Sequence, residues 1–196
     1  MGAHSISSHD NIPCNSFEFG PGQIPIIANH LRLARLEQLG VSAGLQALSS
    51  GECIDEVFRF QCLGPPFYAC NEAGVPDGPT MVPLWDRDDR VIGIQATPEG
   101  LAFVEYNVEE PQDLSVLART EQGFWAHQFD SLYEADESVD DLRHAADMVE
   151  FRFLDLCLSR REAVEPELET FEAHDRWLAA LIAEIDQAAP GVSSSF

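Results

Sequence analysis

The apolar residues of this chain follow two rhythms, and the change between them separates helical from extended stretches. Residues 1–24 have no hydrophobic period and are rich in Ser, Asn, Pro and Gly. They predict an irregular N-terminal arm, with Phe17 and Phe19 as anchors. Ile26, Ile27, His30, Leu31, Ala34, Leu36 and Leu39 then recur at helical spacing, and Gly40 closes the segment. Ser42 is placed to cap a short second helix, Ala43 to Leu48, which Ser49-Ser50-Gly51 stops. After this the period shortens. Ile54 to Leu63, with Val57, Phe58 and Phe60, reads as a strand ended by Pro65-Pro66, and Phe67 to Cys70 reads as a second extended run. Asn71 to Pro79 is a loop dense in turn formers. Thr80 to Trp85, Val91 to Ala96 and Leu101 to Val108 predict three strands. Tight turns at Asp86 to Arg90 and Pro98 to Gly100 join them into an antiparallel meander. The third strand alternates cleanly, with Leu101, Phe103, Glu105 and Asn107 opposing Ala102, Val104, Tyr106 and Val108.

Beyond Pro111 the helical period returns. Asp113 to Tyr133 carries an apolar face of Leu114, Leu117, Ala118, Phe124, Trp125, Phe129, Leu132 and Tyr133. Ser138 with Asp141 resembles a capping box that opens a short helix to Val149. Phe151 to Leu158 alternates and reads as a returning strand. Pro166 to Ala188 repeats Leu168, Phe171, Trp177, Leu178, Leu181, Ile182 and Ile185 at helical spacing, and Pro190-Gly191 stops it. The sum predicts an α+β fold, an antiparallel meander with helices segregated before and after it. Three regions follow: the arm 1–24, a core domain 25–162, and a C-terminal helical extension 163–196 that packs on the body or on a second copy.

Charge changes the picture most. All 11 basic residues are Arg and none is Lys; against 34 Asp and Glu they leave a net charge of −23. This disfavours nucleic acid and anionic membrane, whose phosphates need clustered cations. It favours a basic protein partner, although solubility or a salty habitat also accounts for it. Without lysine no Schiff base can form. Hydrophobic residues at 45% and charged residues at 23% match a globular protein. No run approaches ~18 apolar residues, so no spanning helix is expected. The first ten residues lack the basic and apolar regions of a secretory signal. Cys14, Cys53, Cys62, Cys70 and Cys157 are odd in number and lack the two-residue spacing of zinc or redox motifs. Cys53, Cys62 and Cys70 share one stretch and read as small buried thiols rather than metal ligands. Reduced thiols place the protein in the cytoplasm.

Candidate chemistry is sparse. Asp86, Asp88 and Asp89 share one turn, but the glycine and distal glutamate of a calcium-binding helix–loop–helix are missing. They read as a solvated hairpin tip. Glu105, Glu109 and Glu110 end the third strand. Among the histidines only His4 and His9 lie three to five residues apart, so no helical metal pair is expected. Cys70 with His127 is a conceivable Cys–His dyad, but no local signature supports it. No catalytic residue, metal or cofactor is therefore assigned. What remains is surface recognition. Trp85, Tyr106 and Trp125 are aromatic anchors with an acidic surround, the composition of a docking face, or else they fill the core. The partner-binding candidates are Trp85, Asp86, Asp88, Asp89, Glu105, Tyr106, Glu109 and Glu110.

Two leading helices, the Gly/Pro-rich loop, Thr80-Met81-Val82-Pro83-Leu84-Trp85, the charged turn, two more strands, and the helix ending at Leu132-Tyr133-Glu134 form a familiar order. Over about residues 26–134 it resembles the SUKH superfamily, the Smi/Knr-like proteins, many of which are bacterial immunity proteins that neutralise toxins, often nucleases. The resemblance implies a non-catalytic binding protein whose acidic surface covers a basic cleft in place of phosphates. It carries over no catalytic residue. Two other classes stay open: an enzyme using dispersed Cys, His or carboxylate residues such as Cys70 or Glu105, and a scaffold that dimerises through residues 166–188.

Overall fold

The computed structural model describes residues 29–66, 81–110, 113–164, 168 and 170–189. Two helices, α1 (Asn29–Gln38) and α2 (Ala43–Ser50), precede a four-stranded sheet of β1 (Met81–Arg87), β2 (Arg90–Thr97), β3 (Gly100–Asn107) and β4 (Ser115–Ala118). Four helices follow: α3 (Glu121–Glu134), α4 (Val139–Met148), α5 (Leu154–Val164) and α6 (Phe171–Ala188). The strands pair antiparallel in chain order. The fold is α+β, a meander with helices before and after it.

Local chemistry sets the boundaries. The hydroxyls of Ser42, Thr120, Ser138 and Thr170 each accept a backbone N–H at the third residue on, so four helices begin where a side chain satisfies an orphan donor. Each such cap contributes about 1 kcal/mol. At the end of α2, Gly51 turns left-handed (φ 94°) and returns its N–H to the helix. A side chain there would also meet the carbonyl of Gly64 at 2.9 Å.

The helices cover one face of the sheet. Val82, Leu84, Trp85, Ile92, Ile94 and Phe103 join the buried residues of the helices in one cluster. A β-bulge between Pro83 and Trp85 makes this possible. Val82 lies opposite Ile94 and Trp85 opposite Ile92, so Leu84 is the extra residue, and both Leu84 and Trp85 enter the same core. The centre is aromatic: Phe58, Trp85, Phe103, Phe124, Trp125 and Phe129 are all within it, with Phe103 and Phe124 stacked at 4.5 Å. Met81, Val91, Ala102, Val104 and Tyr106 form a second, smaller buried cluster. The alternation of β3 is therefore apolar on both faces.

Four expectations need correction. Residues 54–63 are not a strand. Asp55 accepts the N–H of Val57 at 2.9 Å and opens a short 3₁₀ turn, Glu56–Phe58. Phe58 is buried whereas Phe60, which would share its face in a strand, is 87% exposed, so the period of two is broken. The helix expected from Asp113 starts only at Glu121, because residues 115–118 form β4 against Phe103 to Glu105. Asp186 of α6 enforces that break: it accepts the N–H groups of Arg119 and Thr120, both at 2.8 Å, and the Thr120 hydroxyl at 2.7 Å. Gly123 leaves room for it, since a Cβ there would sit 2.2 Å from Asp186 Oδ1. The strand expected over Phe151 to Leu158 is mostly α5, a short apolar run whose period does not separate the two states. On α1 and just after it the buried positions are Arg32, Leu36 and Leu39, whereas Leu31 and Ala34 are exposed. Arg32 donates to the carbonyls of Ser49 (2.9 Å) and Pro83 (3.2 Å), tying α1 to α2 and β1.

The helix of the predicted C-terminal extension packs on the body. Leu178, Leu181, Ile182 and Ile185 of α6 belong to the main core. The predicted arm, the run at 67–70 and the loop at 71–79 lie outside the described residues. Among those residues no helix is long and apolar enough to cross a membrane.

Candidate functional site

The charged turn between β1 and β2 is built to hold carboxylates together. Arg87 pairs with Arg90 across the hairpin, leaving Asp88 and Asp89 as its tip. Asp88 is left-handed (φ 55°), a conformation Asp tolerates better than most residues. The tip is stitched to the end of β3. The carbonyl of Asp89 accepts the N–H of Val108 at 2.8 Å, and its carboxylate accepts the amide of Asn107. Asn107 in turn accepts the N–H of Glu109 at 2.8 Å. These bonds bring Asp88, Asp89, Glu109 and Glu110 to one end of the sheet, all exposed. None of the four has an arginine partner among the described residues.

The other four candidates lie elsewhere. Trp85 has no exposed surface and packs on Phe124 (5.7 Å) and Trp125 (6.5 Å). Tyr106 is buried in the second cluster, and burial, helped by Asp86, pushes its hydroxyl up to about 12. As anchors for a partner both are corrected: the bulge turned Trp85 inward, and the pleat of β3 sends Tyr106 to a face that is itself buried. Trp125 is likewise core. Asp86 lies opposite Val91, beside Tyr106 and half-buried. Glu105 points the other way and binds Arg90 at 2.8 Å.

Beside the acidic end, a groove of about 630 Å³ opens between the sheet, α3 and α6. Arg87, Arg90 and Glu105 line it from the strands, and His127, Asp130 and His174 from the helices. Asp130 is held by Arg161 and lies 3.1 Å from His174 Nε2. Burial still lifts its carboxyl above the usual range, with His174 and Arg161 pulling it back. Burial also drives His127 down to about 4, aided by Arg87, Arg90 and His174, while Asp175 opposes them.

His127 is therefore neutral at pH 7, and its depressed pKa has a fixed sign. Its contribution to stability is complete above its ordinary value of 6.5 and is lost as pH falls through about 4. Discounted for the part of the ring that solvent reaches, the loss is on the order of 2 kcal/mol. Urea unfolding should show the wild type losing more stability than His127→Gln between those pH values. An equal fall in both proteins contradicts the burial of this ring.

Two of the described thiols, Cys62 and Cys157, offer little nucleophilicity. Cys62 donates to Gln128 Oε1 at 3.5 Å, and burial pushes it up to about 12, with Arg87 pulling back. Cys157 is also lifted to about 12, by burial and then Asp130. Cys53 is exposed and not bridged. Cys70, and with it the Cys70–His127 dyad, lies outside the described residues. Among the described residues no three His, Cys, Asp or Glu side chains gather around a common point.

Sequence reasoning missed the set Asp130, Arg161 and His174. Its members lie on three helices, and no local spacing marks them. Arg161 itself sits in the polar run Ser159-Arg160-Arg161-Glu162, so nothing local singles it out. Comparison with known proteins adds no neighbour: no family model, curated protein or solved structure matches the chain.

Proposed function

We propose that the protein is a non-catalytic, cytoplasmic binding protein that neutralises a basic protein, in the simplest case a toxin that cuts nucleic acid, by direct contact through the hairpin end of the sheet. The observation that carries this reading is the group Asp88, Asp89, Glu109 and Glu110, exposed at one end and without arginine partners among the described residues. Some acids elsewhere are offset, since Arg59, Arg90, Arg143, Arg160 and Arg161 each pair with at least one carboxylate. Others, such as Glu37, Glu52 and Asp147, are also exposed without an arginine partner among the described residues. What distinguishes this group is the hydrogen-bonded turn that holds it together. Unpaired carboxylates on a pinned turn present a fixed negative field with little side-chain ordering left to lose on binding. Such a field steers a cationic partner, raising association toward about 10⁸ M⁻¹s⁻¹ from a neutral value of about 10⁵–10⁶. The resemblance to the SUKH proteins points the same way.

The test is co-purification with the product of the neighbouring gene at low and high salt, followed by charge reversal. Asp88→Arg with Asp89→Arg should slow association about 100-fold or more and flatten its salt dependence. A basic partner that binds wild type and variant equally contradicts this use of the hairpin end. Failure to find any basic partner whose toxicity is removed contradicts the reading as a whole.

A further inference from the structure

The structure describes all eleven arginines, and nine of their guanidinium groups donate hydrogen bonds within the protein. Arg119 and Arg152 are the exceptions among the described residues. In a chain with 34 acids, two exposed guanidinium groups without a protein partner are unexpected. Both line the same cavity, of about 670 Å³. It lies at the β2–β3 turn, the end of the meander opposite the acidic hairpin.

The backbones that carry these arginines are anchored while their heads are not. Asp186 accepts the N–H of Arg119 at 2.8 Å. Gln122 holds the α4–α5 connector at two points, donating to the carbonyl of Glu150 and accepting the N–H of Arg152, each at 3.0 Å. Between them Glu150 is left-handed (φ 56°), a conformation that costs about 1–2 kcal/mol without glycine and persists where neighbours fix it. Leu101, Val149 and Ala189 give the cavity an apolar wall.

From this geometry we infer a binding site for a small monocarboxylate with an apolar body, its carboxylate held by Arg119 and Arg152. A guanidinium presents two parallel N–H donors that match a carboxylate. The three glutamates that also line the cavity set the charge of the ligand. Glu121 is engaged, accepting from Ser42 N at 2.9 Å and from Trp125 Nε1 at 3.2 Å. Glu99 and Glu150 remain at the rim and oppose a doubly charged phosphate. The net charge of the whole chain does not forbid a single negative charge, because exposed charges beyond about 8 Å are largely screened at physiological ionic strength.

Titration of the ¹⁵N-labelled full chain with hexanoate, and separately with inorganic phosphate, tests this. Hexanoate should give saturable amide shifts at Gly100, Arg119, Gln122 and Arg152. Binding should weaken about tenfold or more in Arg119→Gln and Arg152→Gln, each the loss of a charged hydrogen-bond donor. Arg59→Gln removes the same charge from an exposed arginine outside the cavity and should bind like wild type. Shifts that do not saturate, or equal weakening in all three variants, overturn the site. Phosphate binding at least as tight as hexanoate overturns the choice of carboxylate. Neither result touches the acidic end or its proposed partner.

Discussion

Replacing Trp125 by alanine should cost about 3–5 kcal/mol of folding stability, among the largest losses available to one substitution. The indole has no exposed surface and lies at the centre of the aromatic cluster, with ring centroids 5.5 Å from Phe124, 5.8 Å from Phe58, 6.3 Å from Phe129 and 6.5 Å from Trp85. Four rings around one position cannot close over a lost indole, so the cavity term adds to the transfer term. The substitution also strands Glu121, which accepts from the indole N–H. Against a total stability of about 5–15 kcal/mol, such a loss leaves a population of unfolded chains at 37 °C. Trp125→Phe keeps most of the contacts and should cost less than half as much. Urea unfolding at constant m-value measures both. A loss below about 1 kcal/mol for the alanine variant contradicts the packing described above.

Arg161→Ala should cost nearly as much, for a different reason. Its guanidinium binds Asp130 and Glu134 and lies over the rings of Tyr133 (4.6 Å) and Trp177 (5.8 Å). The side chains of Arg161 and Asp130 are only 12% and 8% exposed. Removing one partner leaves the other's charge buried, a loss of about 3–5 kcal/mol. The pH dependence identifies the cause. The Asp130 carboxyl already titrates above its ordinary value because of burial, so its protonated form favours the fold and that benefit fades as pH rises through the raised pKa. Without Arg161 the pKa rises further. The variant's deficit should therefore be largest at pH 7 and shrink as acid neutralises Asp130. Arg161→Met keeps the aliphatic stem between the two rings and separates packing from charge. A deficit that does not change with pH in either variant rules out the carboxylate as its source.

Much of the fold was legible because several local signals agreed. The meander combined alternating runs with turn formers at both ends. The helices α4 and α6 announced themselves by Ser138 and by the period of Leu178, Leu181, Ile182 and Ile185, whereas Leu168 precedes α6 and Phe171 is 90% exposed. The errors fell where one signal stood alone. Residues 54–63, 115–118 and 151–158 are short apolar runs, and only tertiary partners decide their state. For 115–118 the partners are β3 on one side and Asp186 on the other, a residue 67 positions from the Arg119 amide it binds. At the acidic end, Asp88 and Asp89 were legible as a solvated tip because charge in a turn has nowhere else to go, whereas Asp86, read with them, is half-buried. Trp85 was not, since a bulge shifts the alternation without marking the sequence. Nor were Arg119 and Arg152: their lack of partners is a property of the whole surface.

The grip of Asp186 on Arg119 and Thr120 bears on how the chain is made. Synthesis runs from the N-terminal side, so α3 and its aromatic side chains leave the ribosome before Asp186, which accepts the amides at the start of α3. Until α6 arrives, only the Thr120 cap and the pairing of residues 115–118 with β3 mark the border between β4 and α3, and the amides of Arg119 and Thr120 lack the acceptor that pins it. The last helix thus acts as a late editor of the middle of the protein. A nascent chain stalled before residue 186 is expected to hold the border between strand and helix at its centre less firmly, however complete its meander.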